Sequence, residues 1–394
     1  MFKNKALLPI AVVVFVDLLG FSIMLPILPF YASTFHATPE MIGYLVASYS
    51  ICQFFAGPIL GGLSDRYGRR PLLIYSQLGS FVGFVLLAIA NSLPMLFLSR
   101  IIDGVSGGNL TIAQAYIADV TTPQERSSAL AIIGISFGLG FIIGPALGGL
   151  LATHYGYAAP AMLAALFSLS STSLTTFYLK EHTHTETENA RTGLRYYTRA
   201  LDYLKDPTMR PLYAIFFSFA LPFALYVSMF SLFAKMKLHF TVGDVSLFLI
   251  FVGVIGTIWQ GAVIRPMVRK LGDLASLRIA LIAMALGLFG LAFARTGPEL
   301  VAVALVLSFG TGITRPTIST LITVAAPSER KGGALGVSSS LDSLSRSVAP
   351  ILGGWLIGGL HPNYIGYVGG GLTAIGALIA FRVNVDSHEV RMGG

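Results

Sequence analysis

Residues 61–71 read GGLSDRYGRRP, a polar stretch with four charged side chains between two long apolar runs. The apolar runs are predicted as spans 41–63 and 72–91. Each has about 20 residues, the length that an α-helix needs to cross the hydrocarbon core of a bilayer. The stretch is therefore predicted to be a tight loop between two membrane-spanning helices.

The rest of the chain repeats this alternation of apolar runs and short polar loops. Hydrophobic residues make up 54% of the sequence and charged residues only 11%, against about 25% charged in an ordinary soluble protein. The pattern predicts an all-α membrane protein with twelve transmembrane helices. The predicted spans are 6–30, 41–63, 72–91, 94–118, 129–151, 159–179, 210–234, 243–268, 274–295, 298–324, 333–357 and 363–384.

An internal repeat relates the first six spans to the last six. Three pairs of segments match at an offset of 204 or 205 residues: 65–68 with 269–272, 123–126 with 327–330, and 144–149 with 349–354. A constant offset at three places indicates duplication of a six-helix unit, so two pseudo-symmetric bundles are expected. Such repeats commonly bind substrate at their interface, near the midplane of the bilayer.

The repeat predicts three parts of the chain. Residues 1–179 form an N-terminal six-helix bundle, and residues 210–394 form a C-terminal one. The polar stretch 180–209 between them is predicted to be a cytoplasmic linker.

The basic residues predict the orientation in the membrane. Of the 26 Lys and Arg residues, 20 fall on one side of the predicted spans and 3 on the other. Because cytoplasmic loops are enriched in Lys and Arg, both termini and the linker are expected in the cytoplasm, with the protein in the cell membrane. The net charge of +8 follows from this topology and does not indicate nucleic-acid binding. We expect a monomer.

Several classes of function are disfavoured by what the sequence lacks. The single cysteine, Cys52, permits no intrachain disulfide and no cysteine metal cluster. There is no phosphate-binding loop of the Gly-x-x-x-x-Gly-Lys-Ser/Thr type, and no cluster typical of a catalytic site. We therefore expect no enzyme activity, no metal and no cofactor, and a proton gradient as the energy source.

Four motifs resemble one family. They are residues 61–71, Asp17–Gly20 followed by Pro26 and Pro29, Arg100–Gly104 followed by Gly107 and Gly108, and Gly140–Gly149. Together they resemble the signatures of the major facilitator superfamily, in its twelve-helix drug:proton antiporter branch near the tetracycline exporters. The close match covers roughly residues 10–150. The resemblance implies the major facilitator fold and transport by alternating access.

The resemblance also implies a set of gating residues at helix ends and crossings. Asp65 would face the positive N-terminus of a helix in the other half, near Gly332 and Gly333, and Arg126 would complete the charge network. Small residues on one face of span 5 would let another helix approach closely, and Pro145 would bend that span. The gating set is Gly61, Asp65, Arg66, Gly68, Arg69, Arg126, Gly140, Gly144, Pro145 and Gly148.

Six ionisable residues lie more than five residues from either end of a predicted span: Asp17, Arg100, Asp103, Arg315, Asp342 and Arg346. Each costs about 2.5–3.5 kcal/mol at the bilayer centre, so an interior, functional role is the default expectation. Proton coupling needs a carboxylate whose proton affinity responds to burial and to a nearby cation. Asp17, with Arg100 as the responsive cation, is the first candidate, followed by Asp103 and Asp342. The alternative is that these carboxylates are permanently paired structural ions.

The sequence predicts the substrate less specifically than it predicts the fold. Arg315 has no acid nearby in sequence, so it needs a partner from another helix or a substrate anion. The tetracycline exporters carry aspartates in helices 3 and 9, where this chain has Gly83 and Met284, which argues against a cationic metal–drug complex. Arg315 and Arg346 instead point to an anionic or zwitterionic substrate. The candidate substrate-binding residues are Gln53, Asn109, Gln114, Tyr226, Gln260, Arg315 and Arg346.

The function expected from the sequence is proton-coupled efflux of a small amphiphilic, drug-like compound. One alternative keeps the fold and changes the solute to an anionic metabolite or siderophore. An alternative of another class is a membrane receptor or membrane enzyme that transports nothing.

Overall fold

The computed structural model describes residues 7–181, 203, 205–327 and 331–383, without nine of the side chains between 123 and 137. Every long element in these ranges is a helix, and no strand occurs among them. The first eight helices are α1 (Leu7–Met24), α2 (Leu28–Thr34), α3 (Pro39–Tyr67), α4 (Arg69–Ala88), α5 (Leu93–Val105), α6 (Asn109–Val120), α7 (Pro123–Tyr155) and α8 (Ala158–Tyr178). The later helices are α9 (Met209–Leu238), α10 (Val242–Ile258), α11 (Ile264–Leu271), α12 (Asp273–Phe293), α13 (Gly297–Ala325), α14 (Lys331–Gly359) and α15 (Tyr364–Arg382), with a π-helical turn at Trp259–Val263.

Ten helical segments among the described residues are long and apolar enough to cross a membrane, as the hydropathy pattern predicts. Predicted span 11 corresponds to α14, a single 29-residue helix. Its many serines, together with Asp342 and Arg346, lower its mean hydropathy below that of the ten. The all-α membrane fold expected from the sequence is therefore confirmed.

Two predicted spans are interrupted. Span 1 was expected to continue to residue 30, but α1 ends at Met24 and α2 begins at Leu28. Pro26 disfavours helical backbone in the residue before it, and Pro29 lies in the first turn of α2, where a missing N–H is tolerated. Span 4 is divided into α5 and α6 by a break at Ser106–Gly108.

Threonines begin two of the long helices. Thr38 Oγ1 accepts a hydrogen bond from the backbone N–H of Met41 at 3.4 Å, and Thr296 Oγ1 accepts one from Glu299 at the same distance. In each case a proline lies in the first turn that follows. These caps satisfy backbone donors that have no partner within the helix.

The duplication inferred from the sequence is visible in the backbone and in the packing. Gly68 and Gly272 are 204 positions apart, and both have positive φ, 98° and 79°. Each ends one helix and begins the next, α3 to α4 and α11 to α12. Helix α1 packs against α7 and α8 as α9 packs against α14 and α15, and α4 packs against α5 and α8 as α12 packs against α13 and α15. The two halves therefore share one arrangement of helices.

The described residues fall into two compact units. The first comprises the residues up to Tyr196 together with Phe240–Ile250, and the second comprises the remainder. The boundaries predicted from the sequence, 1–179, 180–209 and 210–394, stay a prediction, because most of 180–209 lies outside the described residues. A buried apolar cluster in the first unit includes Ile10, Val13, Leu73, Ile112 and Leu179, and so ties α1, α4 and α6 to the end of α8.

Candidate functional site

Arg69 is the centre of a polar network at one end of the first unit. Gly68 turns the chain with a positive φ and places Arg69 at the start of α4. The Arg69 guanidinium is 9% exposed and lies 2.5 Å from Asp65 Oδ1 and 2.9 Å from Asp119 Oδ2. It also donates to Ser64 Oγ at 2.7 Å. The structure therefore brings together Asp65, Gly68 and Arg69 of the predicted gating set.

Two acids of this network were missed by the sequence reasoning. Asp119 pairs with Arg69 from α6, and Glu181 Oε1 accepts a hydrogen bond from the Arg69 backbone N–H at 3.0 Å. Both follow long apolar runs, and that position at a helix end is the signal that could have identified them. A carboxylate at the first N–H groups of α4 is favoured by the helix dipole.

The other predicted gating residues near this loop are placed differently. Arg66 is exposed and stacks on the ring of Tyr67, 5.3 Å from its centroid, outside the Arg69 network. Gly61 lies against α6, where an added Cβ would come within 3.3 Å of Thr111. The side chain of Arg126 lies outside the described part of the structure, and the expected partner of Asp65 in the second unit stays a prediction.

The small residues of α7 form a packing surface for α1. A Cβ added at Gly148 would lie 2.5 Å from the Ile23 carbonyl oxygen, and one added at Gly144 would collide with Ser22. Ser22 Oγ donates to the Gly140 carbonyl oxygen at 2.8 Å. Helix α7 continues through Pro145 without a break. These glycines thus serve close helix packing, and a hinge at Pro145 stays a prediction.

Asp17 contacts a neutral amide rather than a cation. Gln77 of α4 donates through Nε2 to Asp17 Oδ2 at 3.5 Å and to Ser171 Oγ of α8 at 2.7 Å. Within the described residues, Asp17 has no basic partner. Gln77 is fully buried, and its Oε1 has no hydrogen-bond partner. Three helices therefore meet at one carboxylate that is not held by an ion pair.

Arg100 pairs with Asp103, as their i, i+3 spacing allows, and the role of Arg100 as the cation that responds to Asp17 stays a prediction. Arg100 Nη1 is 3.2 Å from Asp103 Oδ2, and each side chain is 5% exposed. The guanidinium also lies 5.4 Å from the centroid of the Phe84 ring. Because the two residues are i and i+3 on α5, they pair within a single helix, while Arg100 Nε and Nη2 are buried without a partner among the described residues. This arrangement matches the structural-ion alternative for Asp103.

The packing explains one departure from the tetracycline exporters. A Cβ added at Gly83 would lie 2.9 Å from Asp103 Cβ and 3.0 Å from the Ser99 carbonyl oxygen. An aspartate on α4 at this position would therefore collide with the acid that α5 already provides. Met284 of the second unit is fully buried in the apolar core.

The break between α5 and α6 exposes backbone polar groups inside the first unit. Ser76 of α4 accepts from the Gly108 N–H at 3.0 Å and donates to the Ser106 carbonyl oxygen. Gln53 donates to the Gly107 carbonyl oxygen at 3.3 Å and to the Tyr49 hydroxyl at 2.9 Å. Asn109, the first residue of α6, has a buried Oδ1 without a partner. Two of the predicted substrate-binding residues, Gln53 and Asn109, therefore lie at this break.

In the second unit, Asp342 lies between two arginines. Asp342 Oδ1 bonds Arg315 Nη2 of α13, and Asp342 Oδ2 lies 2.9 Å from Arg346 Nε on its own helix. The arginine side chains are 45% and 42% exposed, and the aspartate is 19% exposed. Arg315 thus finds the partner from another helix that it was expected to need. The cluster keeps a net charge of +1.

The remaining predicted substrate residues lie on separate helical elements. Tyr226 is buried on α9 against the ring of Phe230, 5.4 Å between centroids. Gln260 is exposed in the π-helical turn, next to Trp259, whose Nε1 is buried without a partner. Gln114 is exposed on α6. In the described ranges, no three His, Cys, Asp or Glu side chains are grouped as a metal site would need.

Comparison with known sequences gives one family and a consistent set of relatives. The sequence profile of the Major Facilitator Superfamily matches residues 10–349 and 266–391. The chain is 30% identical to multidrug resistance protein 2 of Bacillus subtilis, over 92% of both chains. It is 28% identical to multidrug resistance protein 1 of the same organism over 98% of both chains, and 29% identical to the class B tetracycline resistance protein of Escherichia coli over 86% of both.

Solved structures share the fold at lower identity. A crystal structure of the nucleoside transporter NupG superposes with a TM-score of 0.77 at 16% identity, over 96% of this chain and 99% of that one. A crystal structure of the human organic anion transporter TETRAN has a TM-score of 0.70 at 23% identity, over 95% and 99%. These likenesses concern the fold alone.

Proposed function

The chain belongs to the major facilitator superfamily and is a multi-pass membrane transporter, and we propose that it exports small amphiphilic, drug-like compounds in exchange for protons. Relatives named for multidrug and tetracycline resistance support this direction and this class of substrate. Two six-helix bundles would alternate between inward-facing and outward-facing states around a central substrate site. The Arg69 network, on the cytoplasmic side, would hold that side shut while the substrate site faces outward.

The observation that carries the proposal is the bonding of Asp17. A carboxylate locked to an arginine is a poor proton carrier, because protonation leaves the arginine buried and unpaired. Asp17 instead faces the Gln77 amide at 3.5 Å, and it has no basic partner among the described residues. It can therefore gain and lose a proton without breaking an ion pair. Asp103, held by Arg100 at 3.2 Å, is the weaker candidate.

The proposal needs no cofactor beyond the proton gradient. A proton taken up from outside would neutralise Asp17 as the substrate leaves, and its release to the cytoplasm would reset the carrier. Both termini would lie in the cytoplasm, as the distribution of Lys and Arg predicts. The protein would act as a monomer, because each chain carries both bundles.

We expect Asp17→Asn to abolish transport driven by a pH gradient while leaving the fold intact, since asparagine keeps the shape but cannot carry the proton. The measurement is drug flux in proteoliposomes under an imposed pH gradient, with tetracycline and a panel of other amphiphilic drugs. Asp244→Asn makes the same chemical change at an exposed acid that bonds Thr241 at 2.7 Å, and it should retain transport. Full proton-driven flux in Asp17→Asn would refute the assignment. Absence of flux for every solute in the unsubstituted protein would favour a receptor.

The second candidate is transport of an anionic metabolite or siderophore. It is favoured by the cluster of Arg315, Asp342 and Arg346, which has two half-exposed guanidinium groups around one carboxylate. Each guanidinium has five N–H donors in a planar fork, so most of its donors are open to a carboxylate or phosphate.

We expect Arg315→Ala to separate the two candidates by charge. If the arginine binds substrate anions, uptake of anionic solutes into proteoliposomes should fall about tenfold or more, because a charge-assisted hydrogen bond contributes about 1.5–3 kcal/mol, while neutral and cationic solutes are transported as before. Arg295→Ala removes an exposed arginine from the second unit and serves as the control. An equal loss for all solutes would instead assign Arg315 to the packing of α13 against α14.

A further inference from the structure

Gln77 is fully buried at the junction of α1, α4 and α8, and its amide nitrogen makes hydrogen bonds whereas its amide oxygen does not. Both hydrogens of its amide nitrogen are used, one by Ser171 Oγ at 2.7 Å and one by Asp17 Oδ2 at 3.5 Å. Its amide oxygen has no partner among the residues that the structure describes. Because a buried unsatisfied acceptor costs about 1–3 kcal/mol, its presence beside a titratable group calls for an explanation.

The unpartnered oxygen is what a protonated Asp17 would need. An ionised carboxylate only accepts hydrogen bonds, whereas a carboxylic acid also donates one. A buried carboxylic acid at this position requires an acceptor for its O–H group. Two neutral side chains that bond Asp17 can provide one, the Ser171 hydroxyl and the Gln77 amide, and the oxygen and nitrogen of Gln77 occupy equivalent positions on a planar amide.

We propose that Gln77 is a positioning residue whose amide rotates when Asp17 gains or loses a proton. With Asp17 ionised, Nε2 faces the carboxylate, as in the structure. With Asp17 protonated, a half-turn about the last side-chain torsion brings Oε1 to the acid, whose O–H group then donates a hydrogen bond to that oxygen. The torsion is broad and nearly two-fold in glutamine, and the rotated amide has the same shape. The inference rests on the proposed role of Asp17 in proton coupling.

The rotation would change the bonds at three helices, and it would move Nε2 to the place of Oε1, where no described group bonds the amide. Ser171 can either accept from Nε2 or donate to Oε1, because its hydroxyl rotates; in the structure it accepts from Gln77 and donates to the Val13 carbonyl oxygen at 3.5 Å. Ser168 Oγ donates to the backbone oxygen of Gln77 at 2.8 Å, which holds α4 against α8 in both states. Protonation of Asp17 therefore changes the bonds that join α1, α4 and α8.

The charged groups near this junction are few. Asp103 of α5 interacts electrostatically with Asp17, and it is itself paired with Arg100. Helix α7 faces α1 with Gly140 and Gly144. Helix α8 presents serines, and the Tyr116 hydroxyl of α6 is bonded to the Lys180 carbonyl oxygen at 3.1 Å. Among the described residues, the neutral groups that bond Asp17 are thus the Gln77 amide and the Ser171 hydroxyl.

Infrared difference spectroscopy of the full-length protein in lipid bilayers, between high and low pH, tests the proposal without a known substrate. The wild type should show a carboxylic-acid band, absent in Asp17→Asn, together with a change in a glutamine amide band. In Gln77→Met the amide change should vanish, and the acid band should move to the frequency of a carboxyl that makes no hydrogen bond. The pH midpoint of the acid band should rise by about one unit, because the charged form loses a charge-assisted hydrogen bond.

Ser168→Ala is the matched control, since it alters the same contact between α4 and α8 but leaves the Gln77 side chain untouched; its spectrum should equal that of the wild type. An unchanged band and midpoint in Gln77→Met would overturn the inference. If Gln77→Met does not fold, Gln77→Glu keeps length and polarity, and two coupled protonation steps should replace one; a single unchanged step would overturn the inference as well. A spectrum of Asp17→Asn identical to the wild type would instead remove Asp17 from proton coupling.

Discussion

Gly148 and Gly138 lie on the same helix, α7, but only Gly148 has a neighbour that excludes a side chain. A Cβ at Gly148 would lie 2.5 Å from the backbone oxygen of Ile23, which cannot move without shifting α1. A Cβ at Gly138 would meet no atom within 4 Å. At the scale of single residues, the glycines of α7 therefore differ in their tolerance of a methyl group.

We expect Gly148→Ala to destabilise the protein by about 1–3 kcal/mol, the usual effect of overpacking. Gly138→Ala should be neutral or stabilising by about 0.5–1 kcal/mol, because alanine favours the helix. The measurement is the midpoint of thermal unfolding of the purified protein in detergent. Equal midpoints for Gly148→Ala and the wild type would mean that α1 does not approach α7 as closely as the structure has it.

At the scale of helices, the last helix of each unit ends against an arginine. In each unit this arginine comes from the third membrane-spanning helix and donates to carbonyl oxygens at the end of the last one. Arg278 of α12 donates to the Ala380 and Val383 carbonyl oxygens at 3.0 and 3.1 Å, at the end of α15. Arg70 of α4 donates to the Thr176 carbonyl oxygen at the end of α8, and Thr176 precedes Ala380 by 204 positions. The last carbonyls of a helix have no partner within it, so these arginines replace a C-terminal cap.

We expect Arg278→Met to destabilise the last turn of α15. Loss of two hydrogen bonds to backbone oxygens should speed amide hydrogen exchange in this turn about tenfold, since each bond contributes about 0.5–1.5 kcal/mol. Hydrogen-exchange mass spectrometry of peptides from the end of α15 measures this directly. Arg382→Met removes an exposed charge at the same helix end and should have little effect; if both variants exchange equally fast, the charge and not the hydrogen bonds holds the turn.

At the scale of the whole molecule, the 20 to 3 division of basic residues between the two sides of the predicted spans predicts which side faces the cytoplasm. It requires Arg269, at the end of α11, to face the cytoplasm and Arg295, after α12, to face outward. Both residues are exposed. The only cysteine, Cys52, can be replaced by serine to give a background without reactive thiols.

In that background we expect Arg295→Cys to react with a membrane-impermeant maleimide in intact cells. Arg269→Cys should react only after the membrane is permeabilised, because the bilayer excludes the charged reagent from the cytoplasm. Labelling is measured as a mass shift of the purified protein. The opposite pattern would reverse the orientation and with it the assigned direction of export.

Much of the fold was predictable from local properties of the sequence. Apolar length identifies a span wherever a single helix crosses the membrane, because the lipid requires every backbone group to be bonded within the helix. The repeat followed from segments that match at one offset, and Gly68 and Gly272 bear it out with positive φ at the same spacing. The polar loop at 61–71 already contained Asp65 and Arg69, which pair because they are i and i+4.

What only the tertiary structure decided was which side chains meet across helices. Hydropathy does not determine the rotation of a helix about its axis, so the bonding of Asp17 to Gln77 and of Arg315 to Asp342 could not be distinguished from other pairings. The break at Ser106–Gly108 also depends on a partner elsewhere, Ser76 of α4. The contacts of Arg69, in the polar loop at 61–71, with Asp119 and Glu181 are of the same kind. These residues are distant in sequence, so their charges meet only when the helices that carry them pack together.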